Sequence, residues 1–118
     1  MNSNSPKITT TLWGHWEILL ETKYCKVKQI TVNPGQRLSY QSHQKRQEHW
    51  TIVQGTGTLI LNDESHTLCV GENIVIPKQA KHRIGNKTKS PLIFIEVQTG
   101  DYFGEDDIKR YEDDYGRC

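Results

Sequence analysis

The chain has 118 residues, which is room for one domain, and a hydrophobic content of 34% allows only a modest core. One alanine against eleven threonines favours strands over helices and argues against an all-helical fold. The net charge is +1, with no lysine- and arginine-rich run among aromatic residues and no apolar run of membrane-spanning length, so neither a nucleic-acid nor a membrane partner is expected.

The N-terminal segment is polar. We predict that residues 1–11 form a flexible leader without a signal peptide, followed by a single domain over residues 12–118. The three cysteines are an odd number and lack the paired spacing of a zinc site, which favours a reducing, cytoplasmic setting.

Nine short strand-like runs follow the leader, separated by turn-forming residues. They cover residues 16–20, 24–32, 38–43, 48–53, 56–61, 65–70, 73–76, 82–84 and 92–98. Short strands at this spacing predict an all-β sandwich or barrel. No helical crossover fits between them, so a parallel sheet is not expected.

The C-terminal tail has a different character. Residues 101–118 hold seven acidic and three basic residues, whereas residues 1–100 carry a net charge of +5 that suits a small anionic ligand. Ile108, Tyr111 and Tyr115 recur at helical spacing behind an acidic start. We therefore predict a short helix over residues 105–114, with a frayed acidic tail as the alternative.

Four residues form a candidate metal site. Gln41 and His43 are two apart in a predicted strand and point to one face, Glu48 begins the next strand, and His82 follows a later turn. Each alone is more simply an ordinary strand residue. Together, two imidazoles, a carboxylate and an amide oxygen suit zinc, manganese, iron, cobalt or nickel.

The first three of these residues lie in a segment that resembles the first motif of the cupin family. Gly35, five residues, Gln41-Ser42-His43, four residues, Glu48, six residues and Gly55 match every spacing of that motif. Gln41 stands where the motif has its first histidine.

The fourth residue lies in a segment that resembles the second cupin motif. Gly71, five residues, Pro77-Lys78-Gln79, two residues, His82, three residues and Asn86 match its spacing, with Gln79 in place of a glycine. The resemblance implies a double-stranded β-helix, which is a jelly-roll barrel.

More narrowly, residues 12–117 resemble the type II mannose-6-phosphate isomerase cupin, often the C-terminal part of a bifunctional isomerase–mannose-1-phosphate guanylyltransferase. The matching segments are residues 13–14, 24–28, 41–43, 48–50, 96–100 and 104–117. That family also carries Gln-x-His, but it usually has Arg-Pro where Thr11-Leu12 stands here. The resemblance implies interconversion of mannose 6-phosphate and fructose 6-phosphate through an enediol, with a divalent zinc, manganese, cobalt or nickel ion at the four candidate positions.

This reaction also needs a phosphate clamp. Alternation in residues 24–32 places Lys26 and Lys28 on the face of Ile30 and Val32, which predicts that both lysines point inward or toward the barrel mouth. An inward lysine is costly unless it meets an anion. The alternative is a slip in parity that leaves both solvated. The resemblance adds Arg117 as a third substrate-binding candidate.

The reaction needs a base as well, and there are two candidates. Glu96 alternates with apolar neighbours, which would raise its pKa, although an ion pair with a nearby lysine is the alternative. His49 is the second catalytic candidate.

Two rival functions and an assembly state complete the expectations. A non-catalytic cupin could bind a sugar phosphate or sugar nucleotide and act as partner of a separate guanylyltransferase. A cupin dioxygenase would use iron at the same positions, but Gln41 argues against it because oxygen chemistry prefers more histidines. Paired sheet edges predict a homodimer, with a small-molecule sugar phosphate as the other partner.

Overall fold

The computed structural model describes residues 7–117, and within that span it contains eleven strands and no helix. The strands are β1 (Lys7–Thr10), β2 (Gly14–Glu21), β3 (Cys25–Val32), β4 (Tyr40–Ser42), β5 (Arg46–Gln54), β6 (Gly57–Leu61), β7 (Glu64–Leu68), β8 (Asn73–Ile76), β9 (His82–Gly85), β10 (Leu92–Gly100) and β11 (Lys109–Glu112). The described residues include no helix that is long and apolar enough to cross a membrane.

The strands form two antiparallel sheets. One has the order β1-β2-β3-β10-β5-β8, and the other has the order β11-β4-β9-β6-β7. Core residues come from both sheets, for example Ile30 and Phe94 from the first and Leu59 and Ile84 from the second. The predicted all-β jelly roll is therefore confirmed.

The interior changes from apolar to polar along strands β3 and β10. Their antiparallel register pairs Phe94 with Ile30, then Glu96 with Lys28, and then Gln98 with Lys26. The side chains of these pairs alternate inward with period two, so all six are buried on the core-facing side. The first pair closes the apolar core, and the next two supply charged and polar groups that a barrel interior holds only when they are paired.

The predicted C-terminal helix is wrong. Lys109–Glu112 form β11, which pairs with β4 so that Arg110 lies opposite Gln41. A turn precedes it, where the carboxylate of Asp107 accepts hydrogen bonds from the backbone N–H groups of Gln44 and Lys45. The short helical spacing of apolar residues could not reveal this strand, because its stability comes from hydrogen bonds to a partner far away in sequence.

The predicted flexible leader is corrected over part of its length. Lys7–Thr10 form β1, an exposed edge strand in antiparallel register with β2. Residues 1–6 lie outside the described residues.

Candidate metal centre

A cavity of about 110 Å³ lies between the two sheets. Most of the site residues predicted from sequence line it: Gln41, His43, Glu48, His82, Glu96, Lys28 and Arg117. Two predicted residues do not line it, namely Lys26 and His49. The fold therefore brings the candidate metal ligands, one candidate base and two candidate phosphate ligands to one place.

Three side chains converge in this cavity with the geometry of a metal site. His43 Nε2 lies 3.4 Å from Glu48 Oε2, and His82 Nε2 lies 3.9 Å from Glu48 Oε1. One ligand atom from each residue lies within 4.8 Å of the others. All three side chains are buried, so their polar atoms have little access to bulk water.

Backbone carbonyls hold both imidazoles in the orientation that metal binding needs. His43 Nδ1 donates to the carbonyl of Asp107 at 2.6 Å, and His82 Nδ1 donates to the carbonyl of Ala80 at 3.0 Å. The Nδ1 protons fix the tautomer, so the Nε2 lone pairs face Glu48. Burial, followed by the charge of Arg46, lowers the pKa of His43 to about 4. Burial also lowers the pKa of His82 to about 4, so both rings are neutral at pH 7, as a metal ligand requires.

Gln41 fits the same set. It lies directly opposite His82 in the β4–β9 pairing, so the two side chains share a face. Its Nε2 donates to the carbonyl of Ser39 at 3.3 Å, and the amide oxygen is the atom suited to a hard metal. The four residues together offer two nitrogens and two kinds of oxygen, a donor set that fits a divalent ion.

Arg46 is a further charged residue at this centre, and the sequence interpretation considered it only as a reserve phosphate ligand. Its Nε donates to Glu48 Oε2 at 2.8 Å, and its Nη2 lies 3.3 Å from His43 Nε2. Burial opposes its charge, but Glu48 and Glu96 raise its pKa above the ordinary value. Arg46 stands two residues before Glu48 on one strand, and that spacing alone places both on one face.

Glu96 is joined to the candidate metal ligand Glu48 through the indole of Trp50. The Nε1 of Trp50 lies 3.1 Å from Glu96 Oε1 and 3.1 Å from Glu48 Oε1, so one N–H bridges two carboxylates. The other oxygen of Glu96 accepts a hydrogen bond from Gln98 Nε2 at 2.7 Å. Burial, and then the neighbouring charge of Glu48, raises the pKa of Glu96 to about 7.

Both candidate lysines are buried, and both contact an anion within the protein. Lys26 Nζ lies 3.0 Å and Lys28 Nζ lies 2.6 Å from Glu105 Oε2. Lys28 also lies 3.7 Å from the ring centroid of Trp16. Burial alone would raise the pKa of Glu105. The positive charges of Lys28 and Arg46 outweigh that effect and lower the pKa to about 2. The sequence interpretation placed Glu105 in a helix and missed this contact, which joins residues more than 70 positions apart.

The two remaining candidates, His49 and Arg117, lie in surroundings that differ from those of the lysines. His49 is exposed on the outer side of β5, next to Gln47, and it lies away from the cavity. The structure therefore gives no support to His49 as a catalytic residue, because alternation turns it away from Glu48. Arg117 lines the cavity, and Asp113 holds its guanidinium at 2.8 and 2.9 Å.

Comparison with known proteins agrees with this description. The chain is 42% identical over 106 residues to a mannose-1-phosphate guanylyltransferase of Klebsiella pneumoniae, which covers 90% of this chain and 22% of that protein. It is 46% identical over 105 residues to the alginate biosynthesis protein AlgA of Pseudomonas aeruginosa, covering 89% of this chain and 22% of that protein. The chain thus spans about a fifth of the length of these relatives.

Solved structures support the fold. A Klebsiella pneumoniae protein with a double-stranded β-helix domain superposes with a TM-score of 0.72 at 21% identity, over 95% of this chain and 84% of that one. The capsular polysaccharide assembling protein CapF of Staphylococcus aureus superposes with a TM-score of 0.78 at 20% identity, over 93% of this chain and 35% of that one. Residues 4–113 match the family described as mannose-6-phosphate isomerase C-terminal, and the chain belongs to that family.

Proposed function

We propose that this chain is a metal-dependent aldose–ketose isomerase that interconverts mannose 6-phosphate and fructose 6-phosphate. One observation carries the proposal: the convergent His43, Glu48 and His82 share a cavity with a buried carboxyl group, Glu96. An isomerase that works through an enediol needs these two elements side by side, one to stabilise charge on oxygen and one to move a proton between carbons.

Gln41, His43, Glu48 and His82 would hold the divalent ion, which we expect to be zinc, manganese, cobalt or nickel. A bound ion polarises a sugar oxygen and stabilises the charge that develops on it. The carbonyls of Asp107 and Ala80 keep both imidazoles aligned for this task.

Glu96 is the proposed base. Its carboxylate takes the proton from C2 of open-chain mannose 6-phosphate and returns it to C1, while a hydroxyl proton passes from O2 to O1, so that the product is fructose 6-phosphate. The N–H groups of Trp50 and Gln98 hold one oxygen each and fix the plane of the carboxylate. A pKa of about 7 lets the same group accept and release a proton at neutral pH.

The substrate phosphate is proposed to meet Lys28 and Arg117, with Lys26 behind Lys28. Lys28 and Arg117 both line the cavity. Their present partners, Glu105 and Asp113, are carboxylates that belong to the C-terminal segment. A phosphate would compete with these carboxylates, and it offers more acceptor oxygens to an arginine fork than one carboxylate does.

One observation favours a second function, a non-catalytic cupin that binds a sugar phosphate or sugar nucleotide beside a separate guanylyltransferase. Thr11-Leu12 stand where the family usually has Arg-Pro, and Thr11 lines the cavity, so an arginine that could meet the substrate there is missing. A protein that has given up catalysis would retain the cavity and the fold.

A coupled assay tests the proposal. Mannose 6-phosphate is supplied to the EDTA-treated chain, which is then reloaded with each divalent metal in turn, and fructose 6-phosphate is measured. Metal-restored turnover supports the isomerase. Saturable binding of mannose 6-phosphate without turnover at any metal loading supports the second function.

The compartment is also part of the proposal. We place the reaction in the cytoplasm, because Cys25 and Cys69 are free thiols, which suits a reducing environment.

A further inference from the structure

A second cavity, of about 290 Å³, lies on the outer face of the sheet that contains β4, β6 and β9. Thr58 and Ile60 line it and alternate along β6 with Leu59, which belongs to the core. It shares no lining residue with the cavity that holds the candidate metal ligands. Nothing in the proposed isomerase reaction uses it.

The charged side chains that line this outer cavity are mostly positive. Arg37, Arg83 and Lys87 line it, and Asp114 is the one carboxylate among its lining residues. The hydroxyl groups of Thr58 and Ser65 lie in the same wall and can donate hydrogen bonds. Three cations, one carboxylate and two hydroxyl groups make a site suited to an anion.

Arg83 is the central observation because its guanidinium is buried but incompletely bonded. Its side chain is 4% exposed. Its Nε donates to the carbonyl of Leu38 at 3.0 Å, and its Nη1 donates to Glu112 at 3.3 Å. Its Nη2 has no hydrogen-bond partner among residues 7–117, and Asp114 Oδ1 lies 3.8 Å away. A buried charged donor without an acceptor is costly, so it calls for a further acceptor at this point.

Arg37 adds a second guanidinium to the same carboxylate. Its Nε and Nη2 donate to Asp114 at 2.7 and 2.9 Å. It forms an isolated bridge to Gly85, where an added Cβ would lie only 3.0 Å from the Cβ of Arg37. The absence of a side chain at Gly85 therefore leaves room for the Cβ of Arg37, and Arg37 lies close enough to Arg83 that the two like charges repel. Two guanidinium groups share one carboxylate, and only Arg37 has hydrogen bonds to it.

We propose that this outer cavity is a second binding site, which takes the phosphate group of a small molecule. A phosphate dianion carries enough charge and enough acceptor oxygens to engage Arg37 and Arg83 together, which Asp114 alone does not achieve. Asp114 is then an internal competitor that the ligand displaces. Lys87 and the hydroxyl groups provide the remaining contacts.

The experiment is a titration of the EDTA-treated full chain with inorganic phosphate, followed through backbone amide resonances. Sodium chloride at matched ionic strength provides the baseline. We expect saturable shifts of the amides of Gly85 and Lys87, with an affinity different from that of any shifts at Lys28 and Glu96, which line the inner cavity. Phosphate shifts at Gly85 and Lys87 that do not exceed those of chloride would overturn the proposal.

Variants separate a binding site from a structural ion cluster. Arg37→Gln should weaken phosphate binding at Gly85 by about tenfold, and Lys87→Gln by up to about fivefold. Lys89→Gln is the matched control, because Lys89 is an exposed lysine two positions away that does not line the cavity. An equal loss in Lys87→Gln and Lys89→Gln would mean general charge attraction and would refute a defined site.

Asp114→Asn gives the sharpest outcome. It removes the internal competitor, so phosphate should bind several-fold more tightly even though an ion pair of the folded protein is lost. Unchanged or weaker binding would contradict the displacement of Asp114. Repeating the titration with mannose 6-phosphate and with a nucleoside monophosphate identifies the source of the phosphate, since the natural carrier should bind more tightly than the inorganic ion. Equal affinities would assign the site to free phosphate.

Discussion

The candidate metal ligands provide the first prediction at the scale of single residues. His82→Ala removes one of the convergent ligand atoms, so we expect loss of stoichiometric zinc or manganese measured by elemental analysis. The barrel should remain folded by circular dichroism, because its core consists of the apolar residues between the sheets. His49→Ala is the matched control on the outer face of β5 and should retain the metal. Full metal content in His82→Ala would rule out the site.

Glu96 carries the second prediction. Glu96→Gln keeps the shape of the side chain but removes the carboxylate that we propose as the base, so kcat should fall by about a hundredfold or more. Metal content should not change, because Glu96 is not one of the convergent ligands. Glu17→Gln, on β2, is the control. Near-normal turnover with intact metal would assign the base to another residue.

The residues proposed to bind the substrate phosphate carry the third prediction. Lys28→Met keeps the length of the side chain but removes the ammonium group, which lies over the ring of Trp16, and Arg117→Ala removes the second cation. Each should weaken mannose 6-phosphate binding by about ten- to a hundredfold, while free mannose binding stays unchanged. Calorimetry measures both affinities. If neither variant alters sugar-phosphate affinity, the phosphate lies elsewhere.

The site residues that the sequence predicts differ from those that it misses in the sequence separation between each residue and its partners. Two local motifs with fixed spacing contain the candidate metal ligands Gln41, His43, Glu48 and His82. Each motif spans two strands that are consecutive in the chain, so its spacing is visible in the local sequence. Glu105 could not be found in this way, because its contacts with the two lysines form only after the chain folds back.

At the scale of elements, the turn before β9 shows what a motif departure costs. Gln79 replaces the motif glycine and adopts a φ of 69°, in the left-handed region that glycine favours. Its N–H donates to the carbonyl of His43 at 2.7 Å, so this turn ties the two motifs together. The sequence shows that the motif glycine is missing, but only the fold shows that Gln79 adopts a strained backbone conformation in its place.

Gln79→Gly should therefore stabilise the protein. Relief of the left-handed backbone is worth about 1–2 kcal/mol, and the greater freedom of glycine in the unfolded chain offsets about 0.5–1 kcal/mol of it. We expect a net gain of about 0.5–1 kcal/mol in the free energy of unfolding, measured with urea. Lys78→Gly, next in the chain, is the control and should not stabilise. A loss of stability in Gln79→Gly would contradict the strain.

The C-terminal segment shows the limit of prediction for elements. The nine predicted runs correspond to strands β2 to β10, because each has its own alternation and turn signals. Strand β11 has four residues and depends on β4, and the nearby Tyr115 donates a hydrogen bond to Gln36, which is 79 positions away in sequence. Such contacts leave no periodic trace in the local sequence.

Acid should weaken the anchoring of this segment. The lysines lower the pKa of Glu105 from an ordinary 4.5 to about 2, so its contribution to stability is complete above pH 4.5 and lost as the pH falls toward 2. Urea unfolding from pH 5 downward should show this loss as a falling midpoint. In Glu105→Gln the decline between pH 4.5 and 2 should be shallower. An equally steep decline in the variant would assign the acid sensitivity to other carboxyl groups.

At the scale of the whole molecule, the sheet edges determine how chains can meet. Each of the two sheets ends in short strands: β1 and β8 in one, β7 and β11 in the other. All four residues of β1 are exposed, including Ile8 at 55% exposure. An exposed edge strand with an apolar residue and open backbone groups is a natural pairing surface.

The homodimer therefore remains a prediction, and β1 is the edge at which we expect it to form. Sedimentation at micromolar concentration should give twice the mass of one chain. Thr10→Pro removes a backbone donor that β1 turns away from β2, because the N–H of Thr11 donates to Gly14 in β2, and it should dissociate the dimer. Val75→Pro on the opposite edge β8 should leave the dimer intact if the fold is preserved. Dissociation by Val75→Pro alone would move the interface to β8. A monomeric wild-type chain would contradict the dimer and would show that the exposed edges remain unpaired in solution. The cavity between the sheets would then be formed by the residues of one chain alone.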